Sequence, residues 1–179
     1  MDELDKAVRD LRAGKFVLLH DAGDREDEID LIIQAETCGW REVKFMRQNA
    51  GGLICLALGG NFASRLGLPF MTDILEGHSE SSRALVPQAT AYGDKPAFSY
   101  SVNHKDTYTG ITDVDRSKTI MEAAKTVSQE EFQKNFYAPG HVHLLISRGL
   151  ENRRGHTELA TALAEKAGCT PAAVLCEML

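Results

Sequence analysis

Apolar residues recur along the chain at two spacings, which predict helices and strands in alternation. Residues 2–13 place Leu4, Val8 and Leu11 on one helical face, and Gly14 follows where such a helix would end. Short continuous apolar runs predict buried strands instead. The predicted strands cover residues 16–19, 31–33, 53–58, 97–102, 142–147 and 172–177.

The intervening segments predict further helices and two irregular regions. Helices are expected over 40–48, 62–66 and 116–127, after Ser128, and from 153 to Gly168. Residues 137–141 contain Pro and Gly and predict a turn, whereas residues 69–96 predict a long surface loop of a kind that is often functional. Because strands and helices alternate without internal repeats, we expect one layered α/β or α+β domain over residues 1–179.

Composition and charge narrow the class of protein. The chain has 179 residues, of which 43% are hydrophobic, enough for one well-buried domain. A formal net charge of −6 argues against a nucleic-acid or acidic-membrane partner, which usually needs a basic face. The N-terminus is too charged for a signal peptide, no apolar run approaches a membrane span, and the four cysteines lack metal-ligand spacing. We therefore expect a cytoplasmic protein with reduced thiols and no membrane partner.

Between the first two predicted strands lies a strongly acidic loop, with Arg25 as its one cation. Mutual repulsion would raise the pKa of some of these carboxyls, and a hard cation such as Mg²⁺ would relieve it. Glu26, Glu28 and Asp30 alternate, so in an extended segment they would share one face. A solvated acidic turn would show the same composition. The carboxylates of the loop are Asp21, Asp24, Glu26, Asp27, Glu28 and Asp30.

A second polar cluster, residues 153–157, precedes the last predicted helix. Gly155 would leave backbone N–H groups free for an anion at the helix N-terminus, while Arg153 and Thr157 could bind phosphate oxygens. Simple capping of the helix is the alternative, although a cap does not require His156.

Two further residues have the chemistry of acid–base groups. His141 follows a rigid Pro-Gly pair, and Glu177 is a carboxylate in an apolar run, where burial would raise its pKa. A polar turn residue and an exposed strand end are the alternatives. Because the sequence has no nucleophile elbow and no glycine-rich nucleotide loop, these groups together indicate metal-assisted proton transfer on a small phosphorylated substrate.

With these motifs in view, the chain resembles the 3,4-dihydroxy-2-butanone 4-phosphate synthases of riboflavin biosynthesis, in their monofunctional form. The acidic loop, Pro139-Gly-His141 and Arg153-Arg-Gly-His-Thr-Glu158 carry the resemblance, in this order along nearly the whole chain. Shorter matches are Phe45-Met46, Gly52-Leu-Ile-Cys55, Leu68-Pro69, Met71, Thr109-Gly-Ile-Thr112, Asp115-Arg116 and Cys176-Glu177.

The resemblance implies an activity, a cofactor and an assembly. It implies a lyase that converts ribulose 5-phosphate to formate and 3,4-dihydroxy-2-butanone 4-phosphate with Mg²⁺, or with Mn²⁺ as the alternative ion. It also implies a three-layer α/β sandwich around a mixed twisted sheet, and a homodimer with shared active sites. In that dimer His141 would come from the other subunit.

The resemblance also assigns roles to individual residues. Glu26 and His156 would hold the metal. Substrate contacts would come from Arg25, Glu26, Asp30, Thr109, Arg153, Gly155, His156, Thr157 and Glu177, with Arg153, Thr157 and Thr109 at the phosphate end. The catalytic set would be His141, Glu177, Asp30, Glu28 and Cys55.

The chain departs from the family pattern in several loops. Ile29 stands where a small residue is usual, His143 follows the Pro-Gly-His motif, the 148–152 link is shorter, and residues 71–94 match poorly. The alternatives at this level are another metal-dependent sugar-phosphate isomerase or aldolase, and a nucleotide- or RNA-binding protein of a related fold.

Overall fold

The computed structural model describes residues 2–178, which form a six-stranded sheet with helices on both faces. The strands are β1 (Val17–His20), β2 (Ile29–Gln34), β3 (Cys55–Leu58), β4 (Phe98–His104), β5 (Phe136–Ile146) and β6 (Ala172–Glu177). The helices are α1 (Glu3–Arg12), α2 (Trp40–Asn49), α3 (Gly60–Arg65), α4 (Met71–His78), α5 (Glu80–Arg83), α6 (Asp113–Lys125), α7 (Gln129–Asn135) and α8 (His156–Lys166). A short 3₁₀ helix, Ala35–Thr37, follows β2.

The sheet is mixed, with strand order β1-β2-β6-β3-β5-β4. Only β3 and β5 pair in parallel, and the other four pairings are antiparallel. Strand β6 therefore lies between β2 and β3, in the middle of the sheet. This register places Asp30 directly opposite Glu177, and Cys55 opposite Leu175.

Alternation along the strands divides the core into two layers. In β3, Leu56 and Leu58 pack with α2, α3 and α6 on one face, whereas Cys55 and Ala57 pack with α1 and α8 on the other. Successive side chains of a strand point to opposite faces, so one apolar run supplies both layers. The expected three-layer arrangement around a mixed sheet is confirmed.

The hydrophobic spacing predicted every strand, and two irregular regions were assigned wrongly. Residues 137–141 are part of β5 and not a turn, with a cis peptide bond between Ala138 and Pro139. The predicted loop 69–96 contains α4 and α5 before it becomes irregular. Gly140 is needed within β5 because a Cβ at this position would overlap the backbone of Val102 on β4.

None of the helices among residues 2–178 is long and apolar enough to cross a membrane.

Candidate active site

A cavity of about 310 Å³ opens where β2 begins and β6 ends, beside the N-terminus of α8. Its volume lies at the small end of the range for small-molecule sites. The strand register places Asp30, Cys55 and Glu177 on the sheet face that α8 covers. The polar residues that line the cavity are Glu26, Asp30, Cys55, Thr90, Tyr92, Arg153, His156, Thr157 and Glu177.

Asp21, at the start of the acidic loop, holds the loop in a compact turn. Its carboxylate accepts hydrogen bonds from Arg25 Nη1 at 2.7 Å and from the backbone N–H groups of Glu26 and Glu28, at 3.3 and 3.1 Å. Burial alone would raise the pKa of Asp21, but these donors hold it below its usual value. The loop is thus organised around a buried carboxylate.

The loop is not extended, so its three alternating carboxylates do not share a face. Asp27 has a φ of 55°, which turns the chain between Glu26 and Glu28. Glu26 consequently lines the cavity and Asp30 is buried, whereas Glu28 is exposed. Glu28 meets the site through its backbone carbonyl, which lies 3.1 Å from His156 Nε2.

His156 and Glu26, which are 130 residues apart in sequence, meet at the first residue of α8. His156 Nδ1 lies 3.2 Å from Glu26 Oε2, and both ring nitrogens face acceptors. Burial would lower the pKa of His156, but Glu26 and the neighbouring carboxylates raise it above its usual value. The hydrogen bond to His156 in turn lowers the pKa of Glu26 to about 2. Both pKa shifts favour the charged form of the group concerned, because the two side chains attract each other.

This pair belongs to a donor set that fits a hard divalent ion. Ligand atoms of Asp21, Glu26 and His156 all lie within 4.8 Å of one another. Asp30 Oδ1, 3.7 Å from His156 Nε2, is buried and has no hydrogen-bond partner. Carboxylate oxygens with one imidazole are a donor set that suits Mg²⁺ or Mn²⁺.

Asp30 titrates near neutrality. Burial is the main cause that raises its pKa to about 7, and the charges of Glu177 and Glu26 add to this effect, while His156 opposes it. Glu177 is only half-buried, and its Oε2 accepts the backbone N–H of Leu53 at 3.1 Å. Asp30 on β2 and Glu177 on β6 therefore lie opposite each other in different environments. With a pKa of about 7, Asp30 is suited to exchange protons at neutral pH.

Two buried arginines converge beside the N-terminus of α8. The side chains of Arg25 and Arg153 are each 8% exposed, and both lie next to Gly155, where a Cβ would overlap the two guanidinium groups. Arg153 Nη1 donates to Glu158 Oε2 at 2.5 Å, which fixes its orientation. Arg25 Nη2 and Arg153 Nε are buried without a hydrogen-bond partner. Together with Thr157, they offer the donors with which an anion could be bound.

His141 and Thr109 do not line this cavity. His141 is exposed on β5, where its backbone N–H donates to Asn103 Oδ1 at 2.8 Å. Thr109 is exposed in the loop before α6, and its backbone N–H donates to Asp115 Oδ2 at 3.2 Å. Within one chain, seven of the predicted site residues line the cavity, Arg25 and Gly155 lie beside it, and Glu28, His141 and Thr109 do not line it.

Cys55 lies in the cavity wall as a buried thiol. Burial raises the pKa of Cys55, so the sulfur stays protonated at neutral pH. It is therefore a lining group and not an activated nucleophile.

Sequence reasoning assigned no role to four residues that shape the site. Asp21 organises the acidic loop, and Glu158 orients Arg153. From the far end of the 69–96 segment, Tyr92 lines the cavity and Asp94 pairs with Arg25 beside it. The only signal for Tyr92 and Asp94 was the expectation that so long a segment is functional.

A larger cavity, of about 680 Å³, lies between α3 and the end of β5. Its lining includes Arg148, stacked on the ring of Phe70 at 3.7 Å, but no carboxylate or imidazole. The smaller cavity contains the reactive groups and is the candidate active site.

Comparison with known proteins agrees with this geometry. The sequence profile of 3,4-dihydroxy-2-butanone 4-phosphate synthase matches residues 5–179. The chain belongs to the 3,4-dihydroxy-2-butanone 4-phosphate synthase family. The family, the fold class and the enzyme activity that the motifs predicted are thereby confirmed.

Among the similar proteins are synthases of two archaea. The enzyme of Methanothermobacter thermautotrophicus is 43% identical, over 98% of this chain and 80% of its own length. The enzyme of Archaeoglobus fulgidus is also 43% identical, over 99% of this chain and 79% of its own length. A crystal structure of a synthase in complex with two magnesium ions is 31% identical, with a TM-score of 0.80, and the match covers 99% of this chain and 76% of that one.

Proposed function

We propose that this protein converts ribulose 5-phosphate to formate and 3,4-dihydroxy-2-butanone 4-phosphate in the 310 Å³ cavity. The observation that carries the proposal is the meeting of Glu26 with His156 beside the paired arginines, in a chain of the synthase family. A metal-binding pair next to an anion site is what a phosphorylated ketose requires.

In this proposal Glu26 and His156 hold Mg²⁺, with Mn²⁺ as the alternative ion. Asp21 and Asp30 add negative charge around the same point. A bound divalent ion would make the hydroxyls and the carbon next to the carbonyl of the sugar more acidic. His156 must give up a proton to bind it, so we expect binding to strengthen as the pH rises.

The proton transfers fall to groups in and around the cavity. Asp30, with its pKa near 7, can take the proton from the sugar and return it at neutral pH. Glu177, opposite Asp30 in the sheet, is the second acid–base group. Loss of the terminal hydroxyl as water and a shift of the carbon skeleton are then followed by addition of one water to the rearranged carbonyl, which releases formate, so that water is neither consumed nor produced overall.

The arginine pair binds the phosphate end of the substrate. Arg153 and Arg25 each have a buried N–H without a hydrogen-bond partner, and the N-terminus of α8 adds its partial positive charge. Thr157 supplies a hydroxyl. The phosphate would thus be fixed at one end of the cavity while the ketose reaches the carboxylates at the other.

A homodimer would complete the site. His141 and Thr109 are absent from the cavity of their own chain, and large apolar side chains near them are exposed. Tyr108 is 95% exposed and Ile111 51%, as expected of a surface that a second subunit covers. In the dimer, His141 of one subunit would act on substrate bound by the other.

The test is an assay of formate released from ribulose 5-phosphate, with and without a metal chelator. We expect formate in the presence of Mg²⁺ and almost none after chelation. Ribose 5-phosphate or a cleaved aldehyde without formate would instead indicate an isomerase or an aldolase. Tight nucleotide or RNA binding without turnover would indicate a binding protein.

A further inference from the structure

Asp94 places a carboxylate against the two arginines of the anion site. Its Oδ2 accepts a hydrogen bond from Arg25 Nε at 3.0 Å and lies 3.4 Å from Arg153 Nε. Both guanidinium groups are buried, and the Asp94 side chain is 24% exposed. The carboxylate of Asp94, which belongs neither to the sheet nor to α8, therefore interacts with both Arg25 and Arg153.

Asp94 belongs to a short turn that holds itself together. Over residues 90–94, the Thr90 N–H donates to the Asp94 carbonyl at 2.7 Å, and the Asp94 N–H donates to Thr90 Oγ1 at 3.2 Å. Tyr92, from the same turn, covers the guanidinium of Arg25 at 4.6 Å. Because the backbone of the turn does not depend on the Asp94 carboxylate, that side chain can leave the arginines without unfolding the turn.

The arginines are not saturated by Asp94. Arg25 Nη2 and Arg153 Nε have no hydrogen-bond partner, and each can still donate to an anion. A phosphate offers more acceptor oxygens and up to twice the charge of a carboxylate, so it can satisfy donors that Asp94 leaves unused.

We infer that Asp94 is an internal competitor for the phosphate-binding arginines, which the substrate phosphate displaces when it binds. In the free protein Asp94 adds its negative charge to those of Asp21, Glu26 and Glu158, which already pair with the two arginines. On binding, its hydrogen bond to Arg25 breaks and its carboxylate turns away from the guanidinium groups, while the 90–94 turn keeps its own hydrogen bonds. This inference rests on the proposed function, because it names what occupies the phosphate end before substrate arrives.

The test measures the affinity of the protein for inorganic phosphate by calorimetry. Asp94→Asn removes the competing charge and keeps the shape of the side chain, so phosphate should bind about tenfold more tightly, since a charge-assisted hydrogen bond no longer has to be broken. Asp94→Glu, which keeps the charge, should stay within about twofold of wild type. Unchanged or weaker phosphate binding by Asp94→Asn would overturn the inference and would make Asp94 a support for the arginines.

Asp73→Asn on α4 is the matched control, since it removes one exposed carboxylate from the same 69–96 segment without contact to an arginine. A gain equal to that of Asp94→Asn would mean a general effect of charge, and would also overturn the inference.

If Asp94→Asn does not fold, the wild-type protein provides the test by itself. The ¹³Cγ resonance of Asp94 should shift in saturating phosphate, because its carboxylate loses the hydrogen bond from Arg25 Nε. An unchanged Asp94 resonance in saturating phosphate would contradict the displacement. Formate production by wild type separates the two proposals, since its absence would refute the proposed function, whereas turnover without these phosphate effects would refute only the role of Asp94.

Discussion

Asp30 illustrates how a single buried group couples activity to stability. It needs its burial for a pKa near 7, and that burial leaves Oδ1 without a hydrogen-bond donor. In the unfolded chain an aspartate ionises near pH 4. The folded protein therefore binds more protons than the unfolded chain between about pH 4 and 7, and the contribution of Asp30 to stability falls as the pH rises through that window.

We predict that Asp30→Asn stabilises the metal-free protein at pH 8 and not at pH 4, while activity is lost. The gain can reach a few kcal/mol, since each pH unit between the folded and unfolded pKa corresponds to about 1.4 kcal/mol. Urea unfolding in a chelator at the two pH values measures it. Asp24→Asn, on the exposed part of the same loop, is the control. A gain that is equal at both pH values would show that ionisation of Asp30 is not its cause.

For individual residues, the sequence indicated which side chains have suitable chemistry but not what surrounds them in the fold. Glu26, His156 and Arg153 stood out because their motifs are dense in charge. Asp21 and Asp94 did not, because their importance depends on what they contact: one collects donors within a turn, and the other reaches arginines 69 and 59 positions away. Alternation placed Glu28 on one face with Glu26 and Asp30, and that expectation fails where Asp27 turns the chain, whereas a site role for Glu28 came from the family resemblance.

At the scale of elements, the first turn of α6 organises the loop that carries Thr109. Asp115 accepts backbone N–H groups of Tyr108, Thr109 and Gly110, the last at 2.9 Å. These donors hold the pKa of Asp115 below its usual value, although desolvation opposes them. The loop is thus fixed from the helix, and Thr109 is presented outward on a defined backbone.

Asp115→Ala should raise the KM for ribulose 5-phosphate about tenfold and leave kcat within about twofold, because it loosens a phosphate contact and not the reacting groups. Steady-state kinetics separate the two constants. Asp113→Ala, in the same helical turn, removes an ion pair with Arg47 instead and should leave KM unchanged. A fall in kcat alone would contradict the positioning role of Asp115.

Helices and strands could be predicted from the sequence where the spacing of apolar residues is regular. Residues 137–141 could not, because Pro and Gly usually interrupt strands. Here the backbone N–H groups of Gly140 and His141 donate to side chains of β4, Ser101 Oγ at 3.3 Å and Asn103 Oδ1 at 2.8 Å. Residues 138–141 thus bulge out between the pairs Val102–Val142 and Asn103–Tyr137, and side-chain acceptors on β4 hold the bulge, which a reading of one segment cannot detect.

At the scale of the molecule, the proposed dimer places Glu26 and His141 of one active site on different chains. Each single variant, Glu26→Gln or His141→Ala, should be inactive. Mixed, unfolded and refolded together in equal amounts, they should regain about a quarter of wild-type activity, because half of the dimers are mixed and each of these has one intact site. Formate release measures the recovery.

Refolding each variant alone is the control and should restore nothing. Mixtures that remain inactive, although mass measurement detects mixed dimers, would show that both groups act within one chain. The net charge of −6 and a layered α/β or α+β domain were accessible from composition and periodicity alone. The three-layer sandwich and the proposed division of the site between chains came only from the family resemblance, because periodicity within one chain contains no information about a second.

The position of β6 bears on how the protein is made. Residues 172–177 lie in the centre of the sheet, between β2 and β3, although they follow every other strand in sequence. While a ribosome synthesises the chain, the two halves of the sheet have no common strand until these residues leave the exit tunnel. Until then β2 and β3 have unpaired edges that chaperones would have to shield. Asp30 meets Glu177 only at that moment, so the two proposed acid–base groups come together after the other five strands have been made.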